Sequence, residues 1–291
     1  MKLVVFGGSG FLGSHVADKL SEAGHQVTIA DLRLSNWLRP DQAMLTGSIL
    51  DLAFVTRVCA GADIVLNFAG IADLSDADAA PADTARINVM GNVNILEACR
   101  HLGVERYIFA SSLYVYGKHG GFYRCSKQAC ELYIDAYQQS YGIKYAILRY
   151  GSLYGPRADP RNGIYRFIEQ AMNEGRIIYY GSRKALREYI HVEDAALCTL
   201  DIVQNGFSND NIVLTGSQQM CVADLFAMIG EMLGKKLDIH YEDYPENTHY
   251  EVTPYSFMPK VGRKMFPRLA IDIGQGMLNV MNDVHQNKTN P

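Results

Sequence analysis

The opening of the chain restricts the possible folds more than any other stretch. Leu3 to Phe6 is a short unbroken apolar run, the pattern of a strand buried on both faces of a parallel sheet. It leads into Gly7-Gly8-Ser9-Gly10-Phe11-Leu12-Gly13. Leu12, Val16 and Leu20 then recur on one face of a helix predicted over about Phe11 to Ala23 and stopped by Gly24. Val27 to Ala30 reads as a second buried strand with Asp31 at its end. Strand, glycine turn, helix, strand and acid in that order make a dinucleotide-binding fingerprint in the context it requires. The glycines let the backbone approach a pyrophosphate at the positive start of the helix, where the N–H groups around Phe11 and Leu12 point at the anion. Asp31 is placed to accept from a ribose 2′-hydroxyl and would repel a 2′-phosphate, so NAD is expected over NADP. Arg33 reads as a solvated loop cation, with pairing to a 2′-phosphate as the alternative.

The alternation of strand and helix continues down the chain. Strands are predicted over Ala43 to Ile49, Asp63 to Phe68, Val104 to Ala110 and Lys144 to Leu148. Helices are predicted over Asp51 to Cys59, Thr84 to His101 and from the region of Tyr123 to Tyr141, and residues 72–83 are expected as a polar loop. Such alternation implies right-handed crossovers and a parallel sheet covered on both faces, with ligands beyond the carboxyl ends of the strands. From Arg149 the pattern changes to an irregular glycine-rich stretch through Gly163. Smaller elements follow: helices at Ile164 to Glu174, from Glu193, at Val222 to Leu233 and at Leu269 to Val284, with short strands at Ile177 to Tyr180, Glu188 to Val192, Asn211 to Thr215 and Leu237 to Tyr241. These are expected to cap the ligand edge of the sheet.

The chemistry is expected after the fifth strand. Tyr123 and Lys127 lie one helical turn apart, hence on one face. A free phenol titrates near ~10, too high for a base at neutral pH, and a neighbouring ammonium favours the phenolate. Ser112, at the end of its strand, is placed to hydrogen-bond the same substrate oxygen. With a nicotinamide beside them, hydride would leave a carbinol carbon as Tyr123 takes the hydroxyl proton.

Composition removes several other classes of function. In 291 residues, 48% hydrophobic and 20% charged is ordinary globular usage, and a net charge of -4 gives no basic footprint for nucleic acid or an anionic membrane. The six cysteines form no C-x-x-C pair, so a reducing compartment and no metal site are expected. The N-terminus has no signal-peptide pattern and no apolar stretch approaches a membrane span, so a cytoplasmic protein is expected.

Beyond the glycine triplet, the chain carries Asn67-Phe68-Ala69-Gly70, Asn88-Val89-x-Gly91, Ser111-Ser112-x-x-Val115-Tyr116-Gly117 and Tyr123-x-x-Ser126-Lys127. It also carries Leu148-Arg149 with Leu153-Tyr154-Gly155-Pro156, and Arg187-Glu188-Tyr189-Ile190-His191-Val192-x-Asp194. Together these resemble the extended short-chain dehydrogenase/reductases, and more narrowly the NAD-dependent sugar-nucleotide epimerases and dehydratases. The resemblance implies a Rossmann-type doubly wound parallel α/β sheet with a smaller C-terminal α/β substrate-binding lobe. The expected division is residues 1–160 with 187–215 for the NAD-binding part and 161–186 with 216–291 for the lobe. It implies Ser112, Tyr123 and Lys127 as the catalytic set. Ser48, Ile49, Phe68, Ala69, Gly70, Asn88, Ser111, Tyr123, Lys127 and Tyr150 would lie along the cofactor. Ser112, Tyr123, Ser152 and Arg187 would meet a nucleotide-sugar substrate, with the Arg187 guanidinium on its diphosphate. A homodimer through the helices at about 84–101 and 123–141 is also implied.

Several positions depart from the family pattern. Dehydratases of the family carry an Asp-Glu pair just after the catalytic hydroxyl residue, where Leu113 and Tyr114 stand here, which argues against 4,6-dehydration. The loop from Gly117 to Tyr123 is much shorter than usual, Ser152 replaces an asparagine, Ser48 replaces an aspartate, and Thr253 to Phe257 does not match. The expected activity is therefore a sugar-nucleotide 4-epimerase working through a transient 4-keto sugar. A 4-keto-sugar reductase or dehydrogenase is the alternative, and a non-catalytic dinucleotide-binding protein the more distant one.

Overall fold

In the computed structural model, residues 1–242, 263–265, 267 and 270–289 are described. The departure anticipated at Thr253 to Phe257 lies outside them. The chain begins with β1 (Lys2–Phe6), α1 (Phe11–Glu22), β2 (Gln26–Asp31), β3 (Ala43–Thr46), α2 (Leu52–Cys59) and β4 (Ile64–Asn67). It continues with α3 (Leu74–Ala79), α4 (Pro81–Thr84), a π-helical turn over Ala85–Met90, α5 (Gly91–Leu102), β5 (Arg106–Ser112), a 3-10 turn over Leu113–Tyr116, α6 (Gly121–Tyr141) and β6 (Lys144–Tyr150). After these come β7 (Ser152–Tyr154), α7 (Gly163–Glu174), β8 (Arg176–Tyr180), β9 (Leu186–His191), α8 (Val192–Gln204) and β10 (Asp210–Leu214). The last elements are β11 (Gln219–Cys221), α9 (Val222–Leu233), β12 (Asp238–Glu242), β13 (Arg263–Met265) and α10 (Ile273–Thr289).

Eight strands form one sheet in the order β13-β10-β6-β5-β4-β1-β2-β3, and every pairing is parallel. Strand alternation builds a core on each face. Leu3 and Val5 point with Leu66, Ile108 and Leu148 toward α1 and α8, while Val4 and Phe6 point with Val65, Phe109 and Ile147 toward α2, α5 and α6. Sheet order reverses at β1, with β2 on one side and β4 on the other. That switch point opens a crevice beyond the carboxyl ends of β1 and β4, where Gly7 and Gly70 follow.

The remaining elements enclose a third core in which Phe167, Tyr179 and Phe226 meet edge to face and Met277 and Val280 of α10 pack alongside. Here the structure differs from the sequence expectation. The stretch expected as irregular contains β7, which pairs with β9, and β9 pairs in turn with β11. β13, from the segment assigned to the lobe, adds to the edge of the main sheet beside β10. Residues 216–291 thus contribute a strand to the main sheet through β13 and one to the β11-β9-β7 sheet through β11.

The expected polar loop over 72–83 is also helical. Asp73 caps α3 by accepting from the Asp76 N–H at 3.0 Å, and Pro81 begins α4, where its missing N–H costs nothing. Asp76, Asp78 and Asp83 are exposed, Asp73 is half-buried at the cap, and Ala77 is buried.

Candidate active site

The glycine turn is shaped by close approach. Gly7 has φ +78, and a Cβ there would stand 2.5 Å from the Ala69 nitrogen. A Cβ on Gly13 would stand 2.2 Å from the Gly7 carbonyl oxygen, so α1 can begin against the turn only with glycine at this position. Gly10 closes the turn through its N–H to the Gly7 carbonyl at 3.1 Å and, as the α1 N-cap, brings no side chain to the first helical N–H groups. Phe11 and Leu12 turn their side chains into the packing of the lobe and of the sheet, leaving their backbone at the helix mouth. Asp31 accepts from the Ser9 N–H at 3.0 Å and the Leu32 N–H at 2.7 Å, which holds the carboxylate at the rim of the turn. Each of its oxygens keeps acceptor capacity for a hydroxyl. An uncapped helix start, a backbone cradle with no room for Cβ atoms and a fixed acid at the second strand suit the pyrophosphate and ribose of NAD.

The far wall of the crevice comes from β4 and the π-helical turn. Gly70 has φ +150 and lies so close to Asn88 that a Cβ would meet its Oδ1 at 2.7 Å. Asn88 Oδ1 accepts from the Ile71 N–H at 2.7 Å, while Nδ2 donates to the Ile71 carbonyl and to Ser126 Oγ, both at 2.9 Å. Asn88 was expected along the cofactor; here it is a strut between the Gly70-Ile71 backbone and α6. The extra residue in the π turn aims its side chain this way, as such turns do near functional sites. Phe68 and Ala69 follow β4, and the Phe68 ring lies 6.4 Å from that of Tyr150. Tyr150 is buried, and its hydroxyl shares a 2.7 Å hydrogen bond with Thr199. Ser48 accepts from the Leu50 N–H at 3.1 Å in the turn into α2, and the Ile49 side chain packs into the core against Gly91.

The expected catalytic residues meet where β5 passes into α6. Lys127 is buried, its Nζ donating to the Ala110 carbonyl at 2.8 Å and lying 4.8 Å from the Phe109 ring centroid and 5.7 Å from that of Tyr123. Burial lowers its pKa, against the attraction of Cys130 and Glu131. Ser112 Oγ accepts from the Tyr114 N–H at 3.3 Å, and the Tyr114 ring stands edge-on to Tyr123 at 6.1 Å. The turn over Leu113–Tyr116 therefore links the strand hydroxyl to the helix phenol. Gly120 and Gly121, with φ +99 and +46, make the short loop possible. The first admits the Tyr114 ring and the second admits Asp78, which accepts from the Phe122 N–H at 3.2 Å. Leu113 is buried in apolar surroundings.

Ser111, expected along the cofactor, donates its hydroxyl to Glu131 Oε1 at 2.6 Å, because alternation turns it to the α6 side of β5. Arg187 is buried on β9, with Nη1 donating to the Leu186 carbonyl at 3.2 Å. Ser152 begins β7 opposite Tyr189. A cavity of about 220 Å³ lined by Tyr154, His191, Asp194, Thr215 and Asp272 shares no residue with the glycine cradle or the Ser112, Tyr123 and Lys127 group. Neither Glu131 nor Asp78 belongs to one of the sequence motifs. Glu131, one turn beyond Lys127 on the same face, carried a signal that was there to read.

The model of the NAD dependent epimerase/dehydratase family matches residues 3–215. A Methanocaldococcus jannaschii protein, provisionally named a UDP-glucose 4-epimerase, is 28% identical, with 98% of this chain and 99% of that one covered. Among solved structures, the UDP-glucose 4-epimerase of Thermotoga maritima with UDP-glucose superimposes with a TM-score of 0.85 at 24% identity, covering 99% of this chain and 100% of that one. A dTDP-glucose 4,6-dehydratase double mutant of Streptomyces venezuelae with NAD bound gives 0.86 at 21% identity, covering 99% and 98%. At these identities the structural likeness shows the fold.

Proposed function

The chain belongs to the NAD dependent epimerase/dehydratase family, and from that premise we propose that it is a sugar-nucleotide 4-epimerase. The observation that carries this reading is the buried Lys127 ammonium, fixed by the Ala110 carbonyl beneath the Tyr123 ring, with Ser112 linked to the same phenol through Tyr114. NAD, when bound beside the Gly7 to Gly13 turn and Asp31, would supply the hydride acceptor and donor for C4 that the side chains lack.

The protein's own work is proton handling and positioning. The Lys127 charge favours the Tyr123 phenolate, which takes the C4 hydroxyl proton and later gives it back. Ser112 holds the C4 oxygen, and Arg187 is assigned to the diphosphate. Leu113 and Tyr114 bring no carboxylate to the sugar, which favours epimerisation over loss of water. Residues 161–186 and 216–291 are assigned the sugar and nucleotide. The test is incubation with UDP- and dTDP-hexoses without added cofactor, followed by NMR at C4. Inversion is expected, with Tyr123→Phe lowering kcat by about 10²–10⁴. No change at C4 in any substrate would refute the reading.

The oligomer proposed is a dimer through α5 and α6, whose outer faces expose Leu102, Leu132, Tyr133 and Tyr141. Light scattering is expected to give twice the chain mass, and Leu132→Asp to give monomers; a monomeric parent protein would refute it.

A further inference from the structure

We infer that Glu131 and Arg149 are positioning residues that lock the strand bearing Ser112 to the helix bearing Tyr123 and Lys127, an inference that rests on the proposed role of those three. Glu131 stands one turn beyond Lys127 on α6. Its Oε1 accepts from Ser111 Oγ at 2.6 Å and from Arg149 Nε at 3.0 Å, and its Oε2 accepts from Arg149 Nη2 at 2.7 Å. One carboxylate thereby ties α6 to β5 and β6 at once. The register sets Ser111 opposite Arg149 and Ser112 opposite Tyr150, so the tie lies one residue from the Ser112 hydroxyl.

Arg149 closes the ring from the other side. Its Nη1 donates to Tyr116 Oη at 2.6 Å, and its guanidinium lies 4.7 Å from the Tyr116 ring centroid. Tyr116 ends the turn that starts at Ser112. Serine, carboxylate, guanidinium and phenol thus form a loop that returns to the strand end from which it began. The Arg149 and Glu131 side chains are 3% and 12% exposed, so the pair is shielded from water. Burial works against the Arg149 charge, yet the hydrogen bonds and attraction of Glu131 hold its pKa above the ordinary value. A buried pair with every arm committed is a costly way to gain stability and an effective way to fix geometry.

The fork geometry also balances charge beneath Lys127. Lys127 of α6 and Tyr114 after β5 lie against the Tyr123 ring, Cys130 and Glu131 of α6 act on Lys127, Arg149 of β6 pairs with Glu131, and Asp78 of α3 accepts from the neighbouring Phe122 N–H. Removing Arg149 leaves Glu131 uncompensated, which disfavours the Tyr123 phenolate. The test uses the NAD-loaded full chain as Arg149→Met, as Ser111→Ala and as the neutral double variant Glu131→Gln with Arg149→Met. It reads kcat, KM, melting temperature and the ultraviolet titration of Tyr123, taken as the difference from Tyr123→Phe.

Arg149→Met is expected to lower kcat about tenfold or more with KM within about threefold, and to move the Tyr123 titration upward. Ser111→Ala, which removes one donor and no charge, is expected to lower kcat about threefold at unchanged KM. The double variant is expected to be no slower than Arg149→Met, with its titration returned toward the parent value. If Arg149→Met fails to fold, the other two variants decide. Lower melting temperatures with kcat and the titration unmoved would overturn the inference. If the parent protein inverts no nucleotide hexose, the epimerase reading falls. The substrate-free titration then decides alone: a shift supports the lock and no shift overturns it.

Discussion

Lys127 shows what a single side chain contributes when its surroundings are fixed. It is buried, with Nζ donating to the Ala110 carbonyl and lying against the rings of Phe109 and Tyr123. Burial costs an ammonium stabilisation and drives its pKa down. A positive charge kept there at neutral pH favours the Tyr123 phenolate beside it. Lys127→Met removes that charge, so the acid limb of the kcat/KM profile is expected to move to higher pH, with kcat lower by about 10²-fold at pH 7. A profile unmoved by the substitution would show that the phenol does not depend on this lysine. Tyr123 and Lys127 were legible in the sequence because their relation is local: two positions one turn apart share a face on any helix. Ser111 was not. Its side chain serves Glu131 because strand alternation turns it to the α6 face and β6 brings Arg149 opposite. That partnership depends on register between elements, which no spacing along the chain encodes.

At the scale of elements, continuous burial made the sheet readable and short contacts made the rest obscure. β4 is buried at all four residues, and β1 at every residue after Lys2, so both stand out as apolar runs. β7, β11 and β13 are three residues each and owe their existence to a partner strand rather than to their own composition. The π-helical turn over Ala85–Met90 was hidden inside an expected helix for a related reason. Its wider winding goes with what Asn88 reaches: the Ile71 backbone and Ser126 through its side chain, and the Cys130 thiol through its carbonyl. Asn88→Ala leaves the Ile71 N–H and carbonyl without their side-chain partner and removes the donor to Ser126 Oγ, which keeps its own bond to the Tyr123 carbonyl; the expected loss is about 2 kcal/mol in denaturant unfolding. Because Gly70 and Ile71 line the crevice, NAD affinity is expected to fall with it. Isothermal titration of the variant with NAD checks this, and parent-like affinity together with parent-like stability would show that the strut is dispensable.

Across the whole molecule, two buried imidazoles tie stability to pH. His15 on α1 bonds the Pro156 carbonyl through Nε2 at 3.0 Å, joining the first helix to the stretch after β7. His191 caps α8, its Nδ1 accepting from the Glu193 N–H at 3.3 Å beside the cavity at the base of α10. Burial lowers each from 6.5 to about 4. Between these values the unfolded chain binds protons that the folded chain refuses, so stability is present in full above pH ~6.5 and is lost as pH falls toward ~4. Protonating His191 at Nδ1 would also remove the cap on α8. Asp194 opposes this. Burial raises its carboxyl from 3.8 to about 6 despite the Ile271 N–H it accepts, so over much of the same window the folded state gains a proton the unfolded chain does not yet hold. Two imidazoles outweigh one carboxyl, and the net slope is a loss of stability toward acid. Each imidazole is worth on the order of 3 kcal/mol across the window. His15→Gln retains a side chain able to donate to Pro156 and removes one titration. It is expected to flatten urea-unfolding stability between pH 6.5 and 4.5, since the remaining histidine is then nearly offset by Asp194. A slope as steep as the parent's would assign the acid sensitivity to other groups.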